Sequence, residues 1–176
     1  MSLHNHQLIL SRPPLPLSRT NRTNTMSPSR AQLLQAAQTF CTAFASQKPP
    51  EEIFSLFSTS SDVTAYEHGL PQLAPFLGRE YKGSDGIRKY FETISSHLTY
   101  ENMRFSNYLV DEVENQVSVR GEARFTWSSS GQSWDEVFTY VLAFDEECKV
   151  LKYEIWADSG AAYLAGKGEL SELPKQ

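Results

Sequence analysis

Residues 116–127 read QVSVRGEARFTW, and residues 134–145 read WDEVFTYVLAFD. In the first stretch Val117, Val119, Ala123, Phe125 and Trp127 share one parity, while Ser118, Arg120, Glu122, Arg124 and Thr126 share the other. In the second, Phe138, Tyr140, Leu142 and Phe144 alternate with smaller or polar residues. A period of two is that of a pleated strand with one buried face. Ser128-Ser129-Ser130-Gly131 joins the stretches as a hairpin loop. The pattern extends outward in both directions. Tyr100–Val110 precedes it as a long strand, and Lys149–Trp156 follows the turn at Asp145-Glu146-Glu147. Four successive antiparallel strands are predicted.

Before Leu98 the period is helical. Ser27-Pro28-Ser29 supplies a capping serine and a proline suited to a first turn. Leu33, Leu34, Ala37, Phe40, Cys41 and Phe44 then form one apolar stripe. Lys48-Pro49-Pro50 stops that helix. Glu51-Glu52 opens a short second one, with acids placed where the helix dipole favours them. Asp62–His68 reads as a strand, and Gly69–Gly78, with Pro71 and Pro75, as a loop. Ser84-Asp85-Gly86 caps a third helix with Ile87, Tyr90, Phe91 and Ile94 on one face, ending near His97. Asp158 caps a short last helix, Ala161–Ala165. Strands grouped after helices give an α+β class and exclude a parallel βαβ fold. The expected architecture is a strongly curved antiparallel sheet wrapped around three helices, a cone-shaped α+β barrel with an internal cavity.

Charge and composition divide the chain. Of 176 residues, the first 50 contain five bases and no acid; from Glu51 on, 21 acids face 11 bases. The first aromatic is Phe40 and the first glycine Gly69. Residues 1–26 therefore read as a disordered or dispensable tail, residues 27–166 as the domain, and residues 167–176 as a flexible carboxyl-terminal tail. The acid-free tail is similar to a mitochondrial transit peptide, but Pro13, Pro14 and Pro16 break any amphipathic helix in it. Translation from Met26 is the other reading. His4 and His6 lack a third ligand nearby. A net charge of −5 argues against nucleic-acid partners, and no apolar run reaches the ~20 residues of a membrane span. Two cysteines, Cys41 and Cys148, make no disulfide framework and suit a reducing compartment such as the cytoplasm.

Three segments resemble the SnoaL-like branch of the nuclear-transport-factor-2-like (NTF2-like) superfamily. Gly78–Phe91 (GREYKGSDGIRKYF) is similar to the family's lead into its third helix. Lys149–Asp158 (KVLKYEIWAD) is similar to its last strand with an aspartate just beyond, and Gly131–Phe138 (GQSWDEVF) to its hairpin. The resemblance covers roughly residues 29–166. It implies the cone fold and, among activities, ketosteroid isomerases, polyketide cyclases, dehydratases and hydrolases. It also admits members without catalysis, so fold alone does not settle function. Asp158 matches the aspartate that acts as general acid or base in SnoaL-like cyclases.

The residues themselves narrow the chemistry. No dinucleotide fingerprint, P-loop, C-x-x-C or H-E-x-x-H is present, and the domain holds only His68 and His97, so neither cofactor nor metal is expected. Acid–base work in an aromatic pocket remains. Asp158, Tyr66 and His68 are the catalytic candidates: Asp158 moves a proton, while Tyr66 and His68, on one face of the first strand, stabilise oxyanion charge. The opposing readings are a plain helix cap for Asp158 and a loop contact for His68. Trp134, Glu136, Phe138, Tyr140 and Trp156 are candidates to bind substrate. Glu136 is also a second acid–base candidate if its face is inward, or a partner of Arg120 or Arg124 if outward. Two functions follow: a cofactor-free cyclase, isomerase or dehydratase acting on a small hydrophobic carbonyl compound in specialised metabolism, or a non-catalytic binding or dimerisation module. Apolar residues on both sheet faces, such as Val137, Val141 and Ala143 opposite Phe138, Tyr140 and Leu142, imply a homodimer.

Overall fold

The computed structural model describes residues 27–172. The expectations for the tail of residues 1–26, including His4 and His6, and for residues 173–176 lie outside the described residues. Helix α1 (Arg30–Ala45) starts at Ser29, not at Ser27: the Ser29 hydroxyl accepts from the Gln32 amide while the Gln32 side chain accepts from the Ser29 amide at 2.9 Å. This reciprocal capping box satisfies two orphan donors at once. The buried stripe of α1 is Leu33, Ala37, Phe40, Cys41 and Phe44. Helix α2 (Pro50–Phe54) is one short turn, with proline where a missing N–H costs nothing.

Strand β1 (Thr64–His68) pairs antiparallel with β2 (Glu80–Lys82), a three-residue edge strand that the periodicity did not predict. So short a segment carries no alternation to read. Helix α3 (Gly83–His97) follows at once with Lys82 as its N-cap residue, so Ser84 and Asp85 lie in its first turn and do not cap it. Gly83 at φ 73° makes this abrupt change from strand to helix possible.

Strands β3 (Leu98–Asp111), β4 (Gln116–Trp127), β5 (Ser133–Phe144) and β6 (Val150–Trp156) form the expected antiparallel meander. The six-stranded order is β2-β1-β6-β5-β4-β3, with β1 parallel to β6. Two register shifts in β3 coincide with Asn102 and Asn107, both at φ 56°. Asparagine tolerates the left-handed region, and such bulges increase the twist that curls a sheet into a cone. Gly121 serves the same curvature from β4. A Cβ there would fall 2.2 Å from the Phe138 ring, so only glycine lets that ring lie on the neighbouring backbone.

The concave face presents Val117, Val119, Ala123, Trp134, Phe138, Tyr140, Leu142, Tyr153 and Ile155 to α1 and α3. The convex face carries the charged parity of β4. There Glu122 pairs with Arg104 and Arg120, and Arg124 with Asp135. The partner of Arg124 on β5 is thus Asp135, and Glu136 is on the inside. Helix α4 (Ser159–Lys167) extends two residues beyond the predicted Ala165 and closes on Gly168 at φ 78°. Gln132 then holds the chain past Gly166, donating to the Gly168 carbonyl at 2.6 Å and accepting from the Leu170 amide at 2.8 Å. Among the described residues no helix is long and apolar enough to cross a membrane.

Candidate active site

Between the concave sheet face and helices α1–α3 lies a cavity of about 700 Å³, within the range of small-molecule sites. Aromatic rings make most of its wall: Phe44, Tyr90, Phe91, Phe125, Phe138 and Tyr153 all line it. It reaches the surface where exposed Gln47, Lys48, Glu51, Arg88 and Glu92 border it. There Arg88 forks onto the Glu51 carboxylate at 2.7 and 3.0 Å and covers the Phe54 ring.

Two buried carboxyl groups face this cavity. Glu136 comes from β5, on the parity of Trp134 and Phe138, so the alternation that buries those rings turns it inward as well. Its Oε2 accepts from Trp134 Nε1 at 2.6 Å and its Oε1 from the Asp158 backbone amide at 2.5 Å. Burial raises the Glu136 pKa above the ordinary carboxylate value; the two N–H donors pull it only part of the way back, and the Asp158 carboxylate adds a smaller upward push. Glu67 comes from the middle of β1 and is 7% exposed. Its Oε2 accepts from the Tyr90 hydroxyl at 2.7 Å. Burial pushes its carboxyl up to about 7, against the Tyr90 hydrogen bond, and the charge of Glu136 pushes the same way. The two carboxyl groups therefore sense one another electrostatically.

Three phenols complete the polar lining. Burial raises Tyr90, Tyr140 and Tyr153 far above the ordinary phenol value, so they remain protonated donors. The Tyr140 and Tyr153 rings meet edge-on at 4.9 Å.

Of the residues singled out from the sequence, Trp134, Glu136, Phe138, Tyr140 and Asp158 all border the cavity. Asp158 sits at its edge and caps α4, its Oδ1 accepting from the Gly160 and Ala161 amides at 3.0 and 3.1 Å. Tyr66, His68 and Trp156 do not reach the cavity. Ala65 and Glu67 of β1 are buried and line the inner face, which turns Tyr66 and His68 to the convex side. By the same alternation Tyr153 and Ile155 point inward on β6 and Trp156 outward. On that outer surface the His68 ring stacks on Trp156 at 3.9 Å, with Glu154 3.5 Å from Nε2. The reading of Tyr66 and His68 as stabilisers of charge in a pocket fails on this geometry, and so does Trp156 as a pocket wall.

Sequence reasoning missed Glu67, Tyr90 and Tyr153. A signal existed for Glu67: Val63 and Ala65 share its parity, and two small apolar residues mark an inner face. Among the described residues no three His, Cys, Asp or Glu side chains are grouped to hold a metal ion.

No protein-family model matches the sequence, and no curated protein matches it. Solved structures do. An NTF2-like protein of unknown function from Burkholderia pseudomallei superposes with a TM-score of 0.64 at 16% identity, over 76% of this chain and 96% of that one. A Jannaschia protein assigned as a SnoaL-like polyketide cyclase gives 0.64 at 13% identity, over 85% and 98%. TerC, co-crystallised with polyporic acid, gives 0.64 at 16%, over 77% and 98%. The cone built by the bulged meander and its covering helices is therefore the fold shared by NTF2-like and SnoaL-like proteins.

Proposed function

We propose that the chain is a cofactor-free acid–base enzyme, an isomerase, cyclase or dehydratase, acting on a small and largely hydrophobic carbonyl compound. The observation that carries this reading is a pair of buried carboxyl groups in one aromatic cavity, each in a different electrostatic setting. Glu136 is the general base: two N–H donors stabilise its carboxylate against the upward pull of burial and fix both of its oxygens. Glu67, with its pKa near 7, is suited to its protonated form and is the general acid. In this scheme Glu136 removes a proton from carbon beside the carbonyl. The carbonyl oxygen receives a proton or a hydrogen bond from Glu67, assisted by the Tyr140 hydroxyl. The role that the sequence suggested for Tyr66 and His68 thus passes to groups on the concave face. Co-crystallisation of TerC with polyporic acid supports a small organic ligand for a cavity of this fold. A place in specialised metabolism is part of the same proposal. The free thiols Cys41 and Cys148 support a cytoplasmic setting.

Ketones with acidic α-hydrogens, incubated with the protein in D₂O, test the reaction. Protein-dependent deuterium incorporation is expected. Ligands that quench tryptophan fluorescence without any incorporation across the panel would make the chain a binding module.

The second copy of the chain is the proposed partner of the convex face. Val137 is 58% exposed there and Trp156 42%, beside the charge pairs that β3, β4 and β5 make within the chain. Light scattering at twice the monomer mass is expected, and monomer mass at high concentration would refute it.

A further inference from the structure

We propose that Asp158 is a positioning residue for Glu136, acting through its backbone N–H, and is not itself a proton carrier. The inference rests on Glu136 as the base of the proposed reaction and names what holds that base in place.

The geometry assigns two separate tasks to the one residue. Its side chain is already committed: a single oxygen, Oδ1, accepts both the Gly160 and the Ala161 amides. These are first-turn donors of α4, which no other group in that turn satisfies. Its main chain does something different. The Asp158 amide donates to Glu136 Oε1 at 2.5 Å, across 22 residues of sequence. The two tasks are mechanically linked. Ala157 and Asp158 form the whole connection from β6 to α4, and the amide of Ser159, the first residue of α4, closes it onto the Ala157 carbonyl at 3.0 Å. Capping fixes the dihedral angles of Asp158, observed at φ −78° and ψ 86°, and those angles aim its N–H. The other Glu136 oxygen is held by Trp134. With both oxygens fixed, the carboxylate cannot rotate away from the cavity, which is what a base needs to meet a substrate proton in one geometry.

A carboxylate just past the last strand thus serves the base without being it. The Asp158 carboxylate also lies close enough to Glu136 to oppose its ionisation, so the residue acts on Glu136 with two opposite signs. Substitution can separate them. Asp158→Asn and Asp158→Ala both delete the negative charge. Only alanine also deletes the capping oxygen, because asparagine caps about as well as aspartate.

The test is the titration of Glu136 in the full chain, followed by carbon NMR of labelled glutamate carboxyl groups and assigned by the resonance missing in Glu136→Gln. Asp158→Asn is expected to lower the Glu136 pKa below wild type, since the charge is gone and the N–H stays. Asp158→Ala is expected to titrate Glu136 above the asparagine variant by roughly half a pH unit or more, because the N–H is no longer held on the carboxylate. If alanine prevents folding, Asp158→Gly replaces it; glycine is a tolerated cap residue without a side-chain acceptor. A purely structural cap would lower the melting temperature of the alanine or glycine variant and leave the two Glu136 titrations coincident. Coincident titrations would overturn the inference. The measurement uses no substrate, so it fails independently of the reaction. Coincident titrations leave Glu136 as a base, whereas absent deuterium incorporation with separated titrations overturns the reaction and not the positioning.

Discussion

Glu136→Gln lowers turnover by ~10²–10⁴-fold while the protein stays folded. Glutamine has the shape of glutamate and can still accept from Trp134 or from the Asp158 amide, but it cannot take a proton. Its single carbonyl oxygen leaves one of those donors short. The loss of a buried charge offsets that, so stability should change by no more than about 1 kcal/mol. The kinetic signature distinguishes a base from a binding group: kcat falls with KM nearly unchanged, and ligand quenching of tryptophan fluorescence persists. The pH profile of the wild type carries the same assignment. Activity rises with pH as Glu136 ionises, and falls as pH passes about 7 and the Glu67 carboxyl loses its proton. Turnover within tenfold of wild type for Glu136→Gln would remove it from the mechanism.

Glu67→Gln stabilises the protein above neutral pH and has little effect near pH 4. The sign follows from linkage. The folded-state pKa of Glu67, about 7, lies above its ordinary 4.5, so the native state binds the proton more tightly than the unfolded chain. Stability from this group is therefore complete below pH 4.5, declines between pH 4.5 and 7, and is constant above. The whole decline corresponds to roughly 3 kcal/mol. Glutamine keeps an acceptor for the Tyr90 hydroxyl and carries no charge, so it escapes the decline. Thermal melts of both proteins at pH 4, 6 and 8 check this: the curves should be close at pH 4 and separate with pH, the variant melting higher. A constant offset at all three values would mean that Glu67 does not titrate in this window. The same substitution should lower turnover, since a carboxamide cannot protonate the carbonyl oxygen. Gaining stability while losing activity is the behaviour of a buried acid kept for chemistry.

Much of the fold and part of the site are legible in the amino-acid sequence. Residues 116–127 and 134–145 alternate with a period of two because one side of each strand is buried, and burial is what the pleat demands of every second residue. Parity therefore places Phe138 and Tyr140 on the concave face and, with them, Glu136 beside Trp134. The Asp158 cap is equally legible, since a capping interaction spans three residues and needs nothing else. Strand β1 is different. Its five residues, TAYEH, put a carboxylate on one face and a phenol with an imidazole on the other, so polarity alone does not choose the inward side. That choice is made by parallel pairing with β6, eighty-eight residues downstream, which sets Glu67 beside Ile155 and His68 beside Trp156. The contacts that give Glu67 and Glu136 their chemistry are of the same kind: Tyr90 on Glu67 and the Asp158 amide on Glu136 each join elements more than twenty residues apart. Local periodicity determines which residues are strand, which are helix and which parity is apolar. The meeting of two carboxyl groups in one aromatic cavity, and with it their altered proton affinity, arises from the closure of the cone, because desolvation is a property of what surrounds a group and not of its neighbours in the chain.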